Sequence, residues 1–519
     1  MSQKAESDLI MEKWRQDAEE FLNGEKEFHL GFLPSEARNP LTTHLDTDFR
    51  EKTEKGVNTL LACDRVLVEF FRDAIRRPEY HAMIAAMKNA RNIIFSGCGA
   101  TGRLAILLES AWNELHPEKQ KVFSIQTGGD FALVRSVENF EDYPEGGKKQ
   151  VDELAVNQED VLIGITATGE TASILGSAKE AALRGAQVFM IICVPTAIAA
   201  SRLERCRELY AMPNVKAIDM PIPGMAVTGS TRMQSSTIEL LVAASALEIA
   251  LENSTINYAD AFEQLLDSLQ HSAAAIAACI KQEEQIYRNR ELIDYNVNDL
   301  LIDVLSDTTE RSPTFMIPPY KFRSDTISAE PWAMARDLSG STEEIWKKCL
   351  RRAPRCIEWT EEEYHNAGLA ILLKKGIPPI SAQCLYQITI GNETLHARAA
   401  AHQIQIINDP AGPLTFDGKV IGGKVTATPL RLFEHLRMKL VMNIISTGTM
   451  VRLGRVRSNY MIQLAISNKK LIDRACRIIS ELCHIDYETA CYELFRTRAE
   501  IEGKDLSPVA ETLRRLEAE

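Results

Sequence analysis

Positive charge is scarce in this sequence of 519 residues. Lysine and arginine number 59 against 72 aspartates and glutamates, which gives a formal net charge of −13. Nucleic-acid backbones and anionic membrane surfaces repel an acidic chain, so we expect no nucleic acid and no membrane as partner. A phosphate-bearing ligand would have to be held by donors gathered locally.

Closely spaced pairs of cysteines or histidines are also missing. None of the eleven cysteines forms a C-x-x-C pair, and none of the ten histidines stands in an H-E-x-x-H pattern. These absences disfavour a disulfide framework and a zinc site, so we expect reduced thiols, no metal and no cofactor. The carboxylates Asp303, Asp307 and Glu310 imitate a metal cluster, but they lie in a stretch better explained as a strand and a capped loop.

The sequence shows neither a secretory leader nor a run of 18 apolar residues. Its first 23 residues are charged and compatible with a helix, unlike a signal peptide. We therefore expect no membrane-spanning segment and a cytoplasmic location.

The most informative stretch is a glycine-rich segment at 92–104. An apolar run leads into Gly97-Cys98-Gly99-Ala100-Thr101-Gly102, and a helix-compatible run follows. A strand, a glycine turn and a helix N-terminus together form an anion site. Dinucleotide binding by G-x-G-x-x-G also needs an acidic residue at the end of the second strand, but the run 122–126 ends in Thr127-Gly128-Gly129. The sequence therefore disfavours NAD and favours a phosphate monoester beside Thr101.

Short β-rich runs alternate with helical patterns along most of the chain. In the first half, strands are expected at 92–96, 122–126, 161–165, 187–194 and 216–220. After a helical stretch at about 232–293, further strands are expected at 299–305, 313–318, 354–359, 376–381, 385–391 and 403–408. Such alternation indicates α/β domains with parallel sheets and ligands at the carboxyl ends of the strands. We predict four parts, namely an N-terminal helical or irregular segment at 1–50, a first α/β domain at 51–265, a second, degenerate α/β domain at 266–448 and a helical C-terminal cap at 449–519.

Three hydroxyl-rich turns follow candidate strands of the first domain, at 96–102, 166–171 and 227–232. One explanation is that their serines and threonines cap the helices that follow. The other is that the turns meet at one edge of the sheet, where hydroxyl and backbone N–H groups bind a phosphate dianion without a metal. Three such turns in one domain favour the second explanation.

Together these motifs resemble the SIS-fold (sugar isomerase) family of N-acetylmuramic acid 6-phosphate etherases and glucokinase regulatory protein. The resemblance rests on the segments 97–103, 128–130, 137–142, 164–171, 228–233, 439–448, 453–454 and 467–471. It implies flavodoxin-like αβα layers around a parallel sheet. About 200 residues separate Met233 from Lys439, which is room for a second SIS domain. The layout therefore resembles the tandem-SIS glucokinase regulatory protein and implies one sugar-phosphate site between two domains.

The resemblance also implies the residues of that site. Contacts to phosphate or sugar are expected from Gly99, Thr101, Gly102, Thr166, Thr168, Gly169, Thr171, Ser230, Thr231 and Lys439. Lys439 matches a lysine that reaches the sugar from the far side, and its alternative is a solvated helix face. Gln234 stands where both relatives commonly carry lysine, which removes part of the expected positive charge.

Catalysis of the etherase type would need two carboxylates. One removes the proton beside the open-chain aldehyde, and the other protonates the leaving ether oxygen. Glu141 matches one of the family's two glutamates, and it would bind sugar hydroxyls if the site is not catalytic. The other glutamate falls on Ala111, and Glu114, one helical turn later, is a speculative replacement. This mismatch predicts a weak or absent etherase.

The leading hypothesis is therefore a non-enzymatic protein of the glucokinase-regulatory-protein type. It would sense a phosphorylated sugar between its two SIS domains, and domain closure would alter a surface for a partner, with a sugar kinase inferred by analogy alone. Two alternatives remain open. One is an N-acetylmuramic acid 6-phosphate etherase, a lyase that releases D-lactate, and the other is a phosphosugar isomerase.

Overall fold

A computed structural model describes residues 3–137, 140–358, 360–366, 382–466 and 468–518. The expected strand at 376–381 and Ser467 of the last motif lie outside the described residues. The strands of two main sheets and one small hairpin are β1 Ile93–Gly97, β2 Val122–Gln126, β3 Val161–Thr166, β4 Gln187–Ile192, β5 Val215–Asp219, β6 Ile293–Val297, β7 Ala333–Arg336, β8 His402–Asn408, β9 Leu414–Phe416, β10 Lys419–Ile421, β11 Val456–Arg457 and β12 Tyr460–Met461.

The α-helices surround and connect these strands. Those of the N-terminal segment and first sheet are α1 Gln3–Gly24, α2 Leu45–Glu51, α3 Thr53–Ala74, α4 Pro78–Asn89, α5 Ala100–Leu115, α6 Pro144–Glu153, α7 Ala172–Leu183, α8 Thr196–Arg202 and α9 Glu204–Tyr210. Those that follow are α10 Gln234–Glu252, α11 Tyr258–His271, α12 Ala273–Arg288, α13 Leu301–Phe315, α14 Thr342–Leu350, α15 Glu361–Asn366, α16 Leu432–Arg452, α17 Lys469–Cys483, α18 Tyr487–Glu500 and α19 Pro508–Ala518.

The first sheet confirms the α/β prediction. Its five strands are all parallel and run in the order β2-β1-β3-β4-β5, the flavodoxin-like order. The register sets Gly97 beside Gln126 on one side and beside Ile165 on the other, so β1, β2 and β3 end almost level. Because the strand order reverses at β1, the crevice beside the carboxyl ends of β1 and β3 is the expected ligand position.

The second sheet differs from the expectation in most of its strands. Its order is β10-β9-β8-β6-β7, with β7, β6 and β8 parallel and an antiparallel hairpin at one edge. Of the strands expected for this half within the described residues, only 403–408 is found, as β8. The runs at 299–305 and 313–318 belong instead to α13 and its C-terminal end, where Leu301, Val304 and Leu305 are buried at helical spacing. A short apolar run does not distinguish a strand from a buried helix.

The two remaining expected strands of the second half also differ from the structure. Residues 354–358 form no regular element, and the run expected at 385–391 begins inside the 3-10 turn Ala382–Gln387 and continues without a strand. The predicted limits at residues 265 and 448 fall inside α11 and α16, and the division into domains stays a prediction.

Helix α10 is buried along most of its length. By length and composition alone, this helix could cross a membrane. However, 89% of its most apolar 18-residue segment is buried inside the structure. Its hydrophobic residues belong to a continuous core shared with α3, α5, α13 and α16. A second hydrophobic cluster fills the space between the first sheet and helices α6, α7 and α9.

The C-terminal helices α17, α18 and α19 form the expected helical cap. Helix α1 packs against α18, with the rings of Phe21 and Phe495 6.2 Å apart. Hydrogen bonds to Glu36 connect the cap to the N-terminal segment. The Glu36 carboxylate accepts from Arg474 and Arg477 of α17 at 2.6 and 2.7 Å. These bonds hold the start of α17 above the carboxyl edge of the first sheet.

Candidate functional site

The first glycine loop is shaped by close backbone contacts. Gly99 has a φ of +55°, and α5 begins at the next residue. A Cβ on Gly97 would lie 2.4 Å from the carbonyl carbon of Thr101, so only glycine lets the strand end and the helix start approach this closely. The Thr101 hydroxyl accepts from the backbone N–H of Cys98 at 3.0 Å, which holds the turn together.

The other two hydroxyl turns are built in the same way. After β3, Gly169 has a φ of +71°, and the hydroxyls of Thr166 and Thr171 lie 3.1 Å apart. Before α10, Gly229 has a φ of +76°, and a Cβ there would lie 2.4 Å from Nε of Arg474. Helices α5, α7 and α10 each begin without a hydrogen bond from a capping side chain. The capping explanation therefore does not account for these turns.

The three turns project into one cavity at the carboxyl edge of the first sheet. Among the predicted site residues, those that line it are Gly99, Thr101, Thr166, Thr168, Thr171, Ser230, Thr231 and Glu141. Gly102 and Gly169 belong to the same turns and shape them without lining the cavity. Thr101, Thr168 and Ser230, which come from three separate loops, thus lie around a common space.

Lys439 lies outside this cavity. It lines a neighbouring cavity, and its Nζ donates to the carbonyl oxygens of Arg232 and Met233 at 3.2 Å and to the Thr237 hydroxyl at 2.7 Å. Burial lowers the pKa of Lys439 to about 8, an effect that nearby Asp64 partly opposes. Lys439 is therefore not on a solvated helix face, and its contact with sugar stays a prediction.

Glu114 also lies elsewhere. Its carboxylate accepts a hydrogen bond from Arg351 at 2.7 Å and, with Ala111, lines a separate cavity between α5, α13 and α14. The side chain of Glu114 therefore faces away from the three hydroxyl turns.

A second carboxylate reaches the main cavity from the far half of the chain. Glu310 of α13 lines the cavity together with Glu141, and its carboxylate pairs with the guanidinium of Arg103. Sequence reasoning considered Glu310 only as part of a metal-like acidic cluster. The signal that would have found it is its place on the helix after β6, the counterpart of α5 after β1.

The acidic residues of α13 are engaged with cations and do not form a metal cluster. Asp303 accepts from His435 at 2.7 Å, and Asp307 accepts from Arg232 at 2.7 Å. In the part of the chain that the structure describes, no group of three histidine, cysteine, aspartate or glutamate side chains could hold a metal ion.

The cap contributes a lysine that sequence reasoning did not assign to the site. Lys470 lines the cavity, and its Nζ donates to Glu141 at 3.3 Å and to Glu170 at 3.5 Å. Burial lowers the pKa of Lys470, but Glu141 and Glu170 outweigh it and hold that pKa above its ordinary value. The ammonium therefore stays charged at neutral pH and places positive charge beside Glu141.

Glu170 fixes the position of the second turn. Its carboxylate accepts from the Thr168 hydroxyl at 3.1 Å and from Arg205 at 2.7 Å. Burial raises the pKa of Glu170, but Lys470 and Arg205 outweigh it and keep the pKa below its ordinary value. The cavity as a whole offers hydroxyls, three cations (Arg103, Lys470 and Arg474) and two carboxylates, a set suited to a polar ligand that carries an anion and hydroxyl groups.

Comparison with known proteins identifies the family of this chain. A family model described as the glucokinase regulatory protein N-terminal SIS domain matches residues 78–181, which include the first two hydroxyl turns. The N-acetylmuramic acid 6-phosphate etherase of Salmonella typhi is 31% identical over 221 residues, covering 41% of this chain and 68% of that protein. This chain belongs to the SIS family of N-acetylmuramic acid 6-phosphate etherases and glucokinase regulatory protein.

Other etherases of the SIS family match to a similar extent. The enzyme from Photobacterium profundum is 32% identical over 216 residues, which is 40% of this chain and 66% of the relative. The matched region thus spans about two thirds of each etherase and two fifths of this chain.

Solved structures are more distant. Tagatose-6-phosphate ketose/aldose isomerase from Escherichia coli is 11% identical, with a TM-score of 0.42 over 81% of this chain and 97% of that one. The C-terminal domain of glucosamine-fructose-6-phosphate aminotransferase from Francisella tularensis is 12% identical, with a TM-score of 0.39 over 76% and 95%. Scores this low support no argument about function.

Proposed function

We propose that this chain is a carbon–oxygen lyase of the etherase type that acts on N-acetylmuramic acid 6-phosphate. The observation that supports the proposal is the presence of Glu141 and Glu310 in one cavity with the three hydroxyl turns. The sequence-based preference for a sensor rested on Ala111, which leaves the family's second carboxylate missing. Glu310 answers that objection because it brings a carboxylate to the cavity from a different helix.

The proposed elimination divides two proton transfers between these carboxylates. One removes the proton from the carbon beside the open-chain aldehyde, and the electron pair forms a carbon–carbon double bond as the ether C–O bond breaks. The other carboxyl group protonates the departing oxygen, which yields D-lactate. Glu141, which accepts hydrogen bonds from Lys470 and Asn468, suits the role of base, and Glu310 is assigned to the leaving oxygen.

The phosphate is assigned to the hydroxyl turns. Thr101, Thr168 and Ser230 stand at the N-terminal ends of helices or next to them, where backbone N–H groups and helix dipoles favour an anion. Arg474 and Lys470 add positive charge from the cap. A ligand held in this way contacts the first sheet, α13 and the cap at the same time.

The test is release of D-lactate from N-acetylmuramic acid 6-phosphate by the purified chain. Glu141→Gln and Glu310→Gln should each lower turnover by about 10² to 10⁴-fold, the usual effect of removing one general acid or base. Glu118→Gln, an exposed substitution outside the cavity, is the matched control and should leave turnover unchanged. Glu114→Gln should also retain turnover, because its carboxylate pairs with Arg351 in another cavity.

A second candidate is the sensor of phosphorylated sugars. It is favoured by the pairing of both carboxylates with cations, Glu141 with Lys470 and Glu310 with Arg103. A carboxylate held in this way can accept hydrogen bonds from sugar hydroxyls without taking part in proton transfer. A sugar kinase as partner and a cytoplasmic location remain expectations from the sequence.

The two candidates separate in one pair of measurements. If no D-lactate forms but fructose 6-phosphate or N-acetylmuramic acid 6-phosphate raises the melting temperature, the sensor is supported and the lyase is rejected. Thr168→Val should remove that rise, since a buried phosphate oxygen would lose its hydrogen-bond partner. If neither sugar phosphate is turned over or bound, both candidates are rejected.

A further inference from the structure

One buried side chain in the cavity has no hydrogen-bond partner in the part of the chain that the structure describes. Gln126, the last residue of β2, lines the cavity and is only 2% exposed. Neither Oε1 nor Nε2 of its amide forms a hydrogen bond with any described residue. Buried side-chain amides are nearly always hydrogen-bonded in native proteins, so this exception requires an explanation.

The surroundings of Gln126 hold its amide in place without satisfying it. Its backbone carbonyl accepts a hydrogen bond from Gln150 at 2.8 Å, and its backbone pairs with β1 at Gly97. The side chain lies against the first turn of α5, where a Cβ on Gly102 would come within 1.7 Å of Oε1. The next residue, Thr127, differs in that its hydroxyl is paired with Ser173 at 2.9 Å.

The two free atoms define the chemistry that would satisfy them. Nε2 donates and Oε1 accepts, so a matching group must accept and donate at once. A phosphate dianion only accepts, and it would leave Oε1 unpaired. A sugar hydroxyl or a secondary amide, such as an acetamido substituent, offers both functions.

We propose that the Gln126 amide binds the sugar part of the ligand, at a hydroxyl or acetamido group, and so selects the sugar rather than its phosphate. This inference rests on the proposed sugar-phosphate site and holds for the lyase and for the sensor. It makes Gln126 a specificity residue, separate from the hydroxyl turns that take the phosphate and from the carboxylates.

Calorimetric titration of the full chain tests the proposal. The ligands are N-acetylglucosamine 6-phosphate, glucosamine 6-phosphate and inorganic phosphate, none of which carries the lactyl ether. Gln126→Met keeps the length of the side chain and removes both polar atoms. It should weaken the binding of N-acetylglucosamine 6-phosphate about 10-fold, equivalent to about 1.4 kcal/mol of binding free energy. The affinity for inorganic phosphate should change less than 2-fold.

Two further readouts separate ligand binding from a structural role. The melting temperature of unliganded Gln126→Met should be unchanged or higher, because the substitution removes a buried amide that has no partner. Gln150→Met is the matched control, since it removes the bond to the Gln126 backbone and leaves the free amide in place. Its ligand affinities should stay within 2-fold of the parent chain.

The outcomes are distinct. If Gln126→Met loses more affinity for N-acetylglucosamine 6-phosphate than for glucosamine 6-phosphate, the bound group is the acetamido group. If it loses equal affinity for both, the bound group is a hydroxyl. Both results support the proposal. An equal loss for inorganic phosphate, no loss for any ligand, or a melting temperature lowered by several degrees overturns it. If the parent chain binds neither amino sugar phosphate, this inference is overturned, whereas the proposed function fails only if N-acetylmuramic acid 6-phosphate and fructose 6-phosphate are also neither turned over nor bound.

Discussion

The shape of the first hydroxyl turn depends on Gly97, which leaves no room for a side chain beside the neighbouring backbone. At Gly97 a Cβ would lie 2.4 Å from the carbonyl carbon of Thr101 and 2.5 Å from the backbone nitrogen of Gly102. Real Cβ contacts are longer than this, so an added methyl must push the start of α5 away from β1.

We expect Gly97→Ala to lower the free energy of unfolding by about 1–3 kcal/mol, the usual cost of overpacking, and to abolish ligand binding. Urea denaturation and calorimetry measure the two effects. Gly24→Ala is the control, because a Cβ there meets nothing within 4 Å. A Gly97→Ala variant that is as stable as the Gly24→Ala variant would contradict the prediction.

Glu239 on α10 shows what burial does to an isolated carboxyl group. It is fully buried, its Oε1 accepts only from the Cys193 thiol at 3.7 Å, and its Oε2 has no partner among the described residues. Burial raises the pKa of Glu239 from 4.5 to about 8, with Cys193 and Lys439 opposing the shift. The group is therefore neutral at physiological pH.

The pH dependence of stability follows from this shift. Between pH 4.5 and about 8 the folded chain holds a proton on Glu239 that the unfolded chain has lost. This group should therefore lower the free energy of unfolding by up to about 1.4 kcal/mol per pH unit as the pH rises through that window, with no further change above it. In Glu239→Gln the decline between pH 5 and pH 8, measured by urea denaturation, should be smaller. Equal declines in the two proteins would contradict the prediction.

At the scale of elements, the position of cap helix α17 depends on the N-terminal segment. Glu36 is buried between Arg474 and Arg477, and Arg474 lines the cavity. Burial raises the pKa of Glu36, but Arg474 and Arg477 outweigh it and hold that pKa well below its ordinary range. The ion pairs therefore connect the cap, the N-terminal segment and the candidate site.

We expect Glu36→Gln to lower the free energy of unfolding by about 3–5 kcal/mol at pH 7, because the buried guanidinium group of Arg474 loses its carboxylate and the half-buried one of Arg477 keeps only Asp473. The contribution of a carboxylate with a depressed pKa is present above about pH 4.5 and is lost as the pH falls. The difference between parent and variant in urea denaturation should therefore be smaller at pH 3.5 than at pH 7. An equal difference at the two pH values would show that the ion pairs are not its cause.

At the scale of the whole molecule, a network of buried charged side chains connects the third hydroxyl turn with helices α13 and α12. Asp307 of α13 accepts from Arg232, the last residue of the third hydroxyl turn, at 2.7 Å and from Arg311 at 2.8 Å. Arg311 in turn donates to Glu283 of α12 at 2.8 Å. Burial raises the pKa of Asp307, but Arg311 and Arg232 outweigh it and keep the pKa below its ordinary value.

Removing Asp307 should affect folding and ligand binding together. Asp307→Ala leaves two buried guanidinium groups without their shared carboxylate, and we expect a loss of about 3–5 kcal/mol in the free energy of unfolding together with weaker sugar-phosphate binding. Glu343→Ala removes an exposed ion pair with Lys347 and should cost less than about 1 kcal/mol. Similar losses for the two variants in urea denaturation would contradict the role of the network.

The first sheet could be predicted from sequence and much of the second could not, for a physical reason. Strands β1 to β4 are almost continuous apolar runs, which the expected strands match closely. Strand β6 contains Asp294 and Asn296, which interrupt its apolar run although both are buried. Asp294 is satisfied by Arg398 at 2.7 Å, a partner that no local pattern reveals.

Local constraints account for what the sequence by itself determined. Glycines at fixed spacing, hydroxyl residues in three turns and alternating apolar runs are properties of short segments, and they sufficed for the α/β class and the family. Which side chains line the cavity together was decided only by the tertiary structure. Glu310, Lys470 and Gln126 come from three distant parts of the chain, and only the packing of α13 and the cap against the first sheet brings them together.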